Sequence, residues 1–434
     1  MYYKQLKSIN CNIQEGKDKM KYKVTGRREI NGEISISGSK NASLPIIAAA
    51  TLTSEIVVLE NIPLISDVIN MIRILDSIDV MTKYEYATRR LIIHAKKIKT
   101  KITSNYAGKL RASYYLIGAL ISRKHQVETV YPGGCSFTSR PIDIHLKVFE
   151  KQGVSVNVSE TLNFKVKKLK PTNIDFETVT VGGTINAILS SVYTKGITTL
   201  NNIAIEPEVL DVINFINQMG GDITFIGTQS LMIRGVKKLH GTSYKVMPDR
   251  IEAGSYLLLA MSIPNSNLTL KNVNIMDIQN IVKVLEQMGG SVIMRKNEIT
   301  IKSPEVLLPV SLKAGPYPAF PTDLQPLITT TLLGASDESY VEDLIYERRI
   351  SHLKELQKMK ASINYEASKI EVKPSTLKPS IVSATDLRCG FALIIASNLA
   401  KGTTTINNAE YITRGYEECL YKLSQIGIEC TKQI

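Results

Sequence analysis

Two stretches of the chain carry the same amphipathic phrase. Glu208 to Phe225 (EVLDVINFINQMGGDITF) and Met276 to Met294 (MDIQNIVKVLEQMGGSVIM) each open on a polar start, run through an apolar stripe and close on Met-Gly-Gly. In the first, Val209, Val212, Ile213, Ile216 and Met219 recur at the spacing that puts them on one face of a helix, and the glycines end it. A short β-branched strand follows in both. Weaker copies close at Ile78-Asp79, Gln152-Gly153, Met359-Lys360 and Ile426-Gly427, so the unit recurs six times at a period of roughly 70 residues.

A second phrase precedes each of these. Ser43 to Ile62, Ser113 to Tyr131, Thr184 to Ile203, Glu252 to Val273, Asp323 to Ile345 and Asp386 to Ala409 each read as a helix rich in small residues, a turn and a strand. These helices are apolar almost all round, which places them inside the molecule with their strands outside. Six α/β units of this kind predict two domains of three units, with buried helices and sheets facing solvent. A doubly wound parallel sheet is the alternative, but it buries its strands most deeply. The first strand belongs with the C-terminal half, so residues 20–39 and 248–434 are expected to form one domain and residues 40–247 the other. Residues 1–19 read as a disordered extension.

Composition narrows the function. Of 434 residues, 44% are hydrophobic and 21% charged, the balance of a globular protein. No run of 18 apolar residues occurs and Met1 to Lys19 lacks a signal-peptide core, which predicts a cytoplasmic protein without a membrane partner. Five cysteines and five histidines show no paired metal-ligand spacing, so neither a structural zinc site nor a disulfide framework is indicated. The net charge of +13 is spread among scattered lysines with no nucleic-acid module. It fits a solvated surface or a small anionic substrate.

Candidate chemistry lies at the unit boundaries. Each buried helix opens on a polar cluster: Gly38-Ser39-Lys40-Asn41, Lys109 to Ser113, Thr180 to Thr184, Pro248 to Glu252, Phe320 to Gln325 and Ala384 to Arg388. Converging helix N-termini offer N–H donors and a positive dipole to an anion. Ordinary capping explains Asp249, Asp323 and Asp386 equally well, but not the accompanying Lys40, Arg111, Arg250 and Arg388. Between the second strand and its helix, Tyr131-Pro-Gly-Gly-Cys135 presents a thiol on a turn, and Ser139, Arg140, Pro141 and Asp143 resemble a helix start. A thiol there sits in a positive field that favours the thiolate; a half-buried, inert cysteine is the other reading.

The ordered motifs Gly-Ser-Lys-Asn-Ala, Leu-Arg-Ala-Ser, Pro-Gly-Gly-Cys with Arg-Pro-Ile-Asp, Val-Gly-Gly-Thr, Pro-Asp-Arg-Ile-Glu, Phe-Pro-Thr-Asp-Leu-Gln, Ala-Thr-Asp-Leu-Arg and Arg-Gly-Tyr-Glu together resemble the UDP-N-acetylglucosamine 1-carboxyvinyltransferase family of enolpyruvyl transferases. The resemblance covers about Met20 to Cys430 and implies an inside-out α/β barrel that takes the first committed step of peptidoglycan synthesis. By this resemblance Cys135 is the acid at C3 of phosphoenolpyruvate and can form a covalent adduct at C2, and Asp323 is the base for the sugar hydroxyl. Lys40, Asn41, Arg140, Arg388, Arg414 and Arg349 would hold phosphoenolpyruvate. Arg111, Arg140, Pro141, Ile142, Asp143, Ile144, Thr178, Thr180, Val181, Asp323 and Ile345 would hold the nucleotide sugar. No metal or organic cofactor and no nucleic acid are implied, and a monomer is expected. The chain departs from the family pattern at Thr413, Arg348 and Ile205. A diverged paralogue with another acceptor, or a non-catalytic sugar-nucleotide binder, is the alternative.

Overall fold

The computed structural model describes residues 20–26, 29–131 and 142–433. Six helices form its interior: Lys40–Ala49, Tyr115–Lys124, Val181–Ser191, Arg250–Met261, Gln325–Thr331 and Leu387–Leu399. Arg250–Met261 is buried at every position, as is Leu387 through Asn398. Around them, among the described residues, lie six small sheets, each combining at least one parallel pair with antiparallel neighbours; the third runs Asn173–Asp175, Ile197–Asn201, Ser230–Arg234, Ile223–Gly227. Strands alternate buried and open positions, and outermost strands such as Ser291–Arg295 are mostly exposed. The helices are therefore within and the sheets outside, as expected of buried apolar helices rather than of a doubly wound sheet.

The six-fold repeat survives in backbone detail. After the outer helix of each unit, the residue at the close is left-handed: Asp79, Gly153, Gly220, Gly289, Lys360 and Gly427 have φ of 64, 85, 95, 91, 71 and 86°. The conformation is shared by all six units but glycine by only four, since Asp79 and Lys360 adopt without it what the others adopt with it.

The buried apolar side chains form two clusters. One draws on residues 42–246; the other joins Tyr22, Val24, Ile30, Ile34 and Ile36 to residues 251–428. Strand exchange explains the split. Lys21–Thr25 closes the sixth sheet between Thr403–Asn407 and Glu429–Gln433, and Asn31–Ser35 opens the fourth beside Asn267–Lys271. Ser243–Lys245 returns to edge the first sheet beside Ile56–Glu60.

The chain passes between the two clusters twice, at adjacent points. Ser39 N–H donates to Met247 O (2.8 Å) and Asp249 N–H to Ser37 O (2.9 Å). Asp249 caps its own helix through Ile251 and Glu252 N–H, both 2.9 Å, and its other oxygen accepts from Lys40 N–H at 2.9 Å. One carboxylate thus serves the first turns of the first and fourth buried helices. Gly38 is required at this crossing by close approach: a Cβ there would lie 1.6 Å from Asn61 O. Among the described residues no helix is long and apolar enough to cross a membrane.

Candidate active site

A cleft of about 1100 Å³ separates the two cores, and side chains from both line it. The described lining contains six cations (Lys40, Arg111, Arg250, Arg348, Arg349, Arg414) and six acids (Asp67, Asp143, Glu206, Glu208, Asp323, Glu347). Much of the site therefore consists of ion pairs among its own side chains.

Three pairings organise it. Asp323 stands in a single 3₁₀ turn, Thr322–Leu324, ahead of the fifth buried helix. It meets Arg349 Nη1 at 3.0 Å and Arg388 Nη2 at 2.9 Å, and Arg349 Nη1 also donates to Thr322 O at 2.6 Å. Burial alone would raise the Asp323 carboxyl, but Arg388 and Arg349 outweigh it and hold the group well below the usual carboxylate range. Asp323 is thus ionised and is not serving as a helix cap.

The second pairing spans the cleft. Asp67, 4% exposed, meets Lys40 Nζ at 3.1 Å, and Arg414 reaches it through Nε at 2.9 Å and Nη2 at 3.3 Å. Its carboxyl, which burial would raise, is lowered by Lys40 and Arg414. The third pairing also joins the two sides: Arg250 donates from Nε and Nη2 to the two oxygens of Glu208, at 2.9 and 3.1 Å. Glu206 beside it accepts from Tyr317 N–H at 3.4 Å and is pushed up by burial.

The wall opposite Asp323 is built by the second and third units. Thr180 caps the third buried helix through Gly183 N–H at 3.3 Å, which sets Thr180, Val181 and Gly182 on the lining. Asp143, Ile144 and His145 reach it from the first turn of Asp143–Lys151. His145 is buried, bonds Asn186 at 2.9 Å through Nδ1, and is pushed down to about 4 by burial and Arg111, so it is neutral at pH 7.

Of the residues expected from sequence, the cleft gathers Lys40, Asn41, Arg111, Asp143, Ile144, Thr180, Val181, Asp323, Ile345, Arg349 and Arg414. Three lie elsewhere. Arg388 is buried behind Asp323, Ile142 packs on the first core, and Thr178 is exposed just short of the lining. Cys135, Arg140 and Pro141 lie outside the described residues. Sequence reasoning sought cations for an anionic substrate and missed their counter-ions Asp67 and Glu208. The available signal was an acid in the first turn of an outer helix, at Asp67, Asp143 and Glu208 alike.

Of the three departures, Thr413 bonds Ser66 Oγ at 3.0 Å, Ile205 packs on the first core, and Arg348 lines the cleft.

The family model of EPSP synthase (3-phosphoshikimate 1-carboxyvinyltransferase) matches residues 24–423. UDP-N-acetylglucosamine 1-carboxyvinyltransferase 2 of Staphylococcus aureus strain N315 is 39% identical over 94% of this chain and 97% of its own. UDP-N-acetylglucosamine 1-carboxyvinyltransferase 1 of Streptococcus agalactiae serotype Ia is 38% identical over the same shares. Among solved structures, the enolpyruvyl transferase NikO from Streptomyces tendae superposes with TM-score 0.87 at 23% identity, over 96% of this chain and 99% of that one. EPSP synthase from Acinetobacter baumannii gives 0.74 at 15% identity, over 96% and 100%.

Proposed function

Because the chain belongs to the EPSP synthase family of enolpyruvyl transferases, we infer that it transfers the enolpyruvyl group of phosphoenolpyruvate to the 3′-hydroxyl of UDP-N-acetylglucosamine with release of phosphate. The structural observation behind the reading is one cleft holding an ionised carboxylate, Asp323, and two cations from opposite sides, Lys40 and Arg414.

The reaction adds a sugar oxygen to C2 of the vinyl group while C3 takes a proton. Phosphate then leaves as C3 loses a proton. Asp323 is proposed as the group that takes the hydroxyl proton; Arg349 and Arg388 keep it ionised and also lower its basicity. Those pairs must loosen as the sugar binds, raising the carboxylate's proton affinity when it is needed. Lys40 and Arg414 are proposed to hold the phosphate, with Asn41 beside Lys40. The wall from Asp143 through Val181, with Arg111 and Ile345, is proposed for the nucleotide sugar. Cys135, on sequence grounds, is proposed as the acid at C3. Residues 20–39 with 248–434, and residues 40–247, are proposed as the two domains that close on the substrates.

The test is inorganic phosphate release from phosphoenolpyruvate, with and without UDP-N-acetylglucosamine, in the wild type and in Cys135→Ala. Sugar-dependent release that the variant loses, with nucleotide-sugar affinity retained, is expected. Sugar-independent release, or none, would overturn the reaction; wild-type turnover in the variant would remove Cys135 from it.

A further inference from the structure

Two like charges from opposite sides of the cleft share a single buried acid. Lys40 begins the first buried helix and Arg414 ends the 3₁₀ segment Ala409–Arg414, yet both reach Asp67, at 3.1 Å and at 2.9 and 3.3 Å. Without an anion between them the ammonium and guanidinium would repel, and the cleft would open a gap where they now meet. Exposure is graded. The side chain of Asp67 is 4% exposed, those of Lys40 and Arg414 14% and 19%. An anion entering the cleft therefore meets the cations, with the carboxylate beneath them.

The residues just before Asp67 are themselves tied across the cleft. Leu64 N–H donates to Glu417 Oε1 at 2.7 Å, and Ser66 Oγ shares a hydrogen bond of 3.0 Å with Thr413 Oγ1. Farther out, Arg89 reaches Glu418 at 2.9 Å and Glu417 at 3.4 Å. These contacts form one seam between residues 64–89 of the first core and 413–418 of the second, and Asp67 is its end at the cleft.

We propose that Asp67 is a positioning residue for phosphate binding: it gathers Lys40 and Arg414 onto one anion, so that the phosphate of phosphoenolpyruvate finds both cations already assembled. The inference rests on the phosphoenolpyruvate reading of the site. It deepens it by assigning the work of assembly to an acid that never needs to touch the reacting atoms. On binding, phosphate shares the cations with Asp67, and the charge that held the two sides together is supplemented rather than removed.

The test compares wild type, Asp67→Asn and Asp67→Glu. Phosphoenolpyruvate and UDP-N-acetylglucosamine are titrated separately by calorimetry, KM and kcat are measured for each substrate, and thermal stability is recorded. Asp67→Asn keeps the shape and removes the charge. It is expected to weaken phosphoenolpyruvate binding and raise its KM about tenfold or more, the scale of a charge-assisted contact. Nucleotide-sugar affinity should stay within about twofold, and Asp67→Glu should recover much of the loss. Unchanged or tighter phosphoenolpyruvate binding in Asp67→Asn would overturn the proposal. So would an equal loss for both ligands that follows thermal stability and is not recovered by Asp67→Glu. Wild type that fails to turn over would sink the reaction reading alone, since the phosphoenolpyruvate titration still decides the role of Asp67.

Discussion

Replacing Asp323 by Asn should cost both stability and turnover, and the two costs separate by pH. The carboxylate lies 3.0 Å from Arg349 and 2.9 Å from Arg388, whose side chains are 4% and 6% exposed. At an effective dielectric constant near 20, each contact is worth about 5 kcal/mol of gross attraction, most of it offset by desolvation. Removing one member of a buried pair costs about 3–5 kcal/mol, because the remaining charge is left without a partner. Asp323 is a quarter exposed, so the lower end, about 3 kcal/mol, is the expected loss at pH 7. Its folded-state pKa is depressed, so its contribution is complete above the unfolded value near 4 and declines as pH falls through and below it. At pH 3 the difference between wild type and variant should have shrunk by about 1 kcal/mol. Turnover should fall by about 10²- to 10⁴-fold if this carboxylate takes the hydroxyl proton. Urea unfolding at pH 7 and pH 3, with phosphate release at pH 7, measures both. A cost equal at the two pH values would show that charge is not its origin, and wild-type turnover would place the base elsewhere.

Two further outcomes are expected. His145 and His352 are both buried and pushed down to about 4, so the unfolded chain binds more protons than the folded one between pH 4 and 6.5. Stability should rise with pH across that window by up to about 3 kcal/mol for each histidine. His352→Phe should remove its share and flatten the profile, because neither ring nitrogen has a hydrogen-bond partner among the described residues; an unchanged profile in calorimetric scans would refute this. Gly38→Ala, whose Cβ would sit 1.6 Å from Asn61 O, must displace the crossing strand and should destabilise by about 1–3 kcal/mol or more, read as a lower midpoint of thermal unfolding. A midpoint equal to wild type would mean that the crossing yields freely.

The architecture was legible because its signals are local and repeated. Apolar periodicity marked the outer helix Pro207–Gln218, and all-round apolarity marked buried helices such as Leu387–Leu399. Helix starts at Thr180, Asp249 and Asp386 were legible for the same reason, since capping acts over three residues. Asp323 looked identical in sequence, and only the approach of Arg349 and Arg388 distinguishes it from a cap. Asp67 and Glu208 escaped notice because a counter-ion has meaning only beside its cation, and Arg414 and Arg250 lie 347 and 42 residues away from them. Arg388 could be placed near the site by its motif, yet its burial behind Asp323 depends on packing that no local pattern records.

The strand exchange at the start of the described chain also governs the order in which the protein can be completed on the ribosome. All partners in the first core lie within residues 42–246, so they are together once that stretch has emerged. Lys21–Thr25 emerges before any of it, but its neighbours in the sheet are Thr403–Asn407 and Glu429–Gln433, made only after the six interior helices. During synthesis this strand must wait without those partners while an entire core forms after it. The polar and charged positions of Lys21-Tyr-Lys-Val-Thr, with only Tyr22 and Val24 destined for the interior, suit a segment that spends that interval in water.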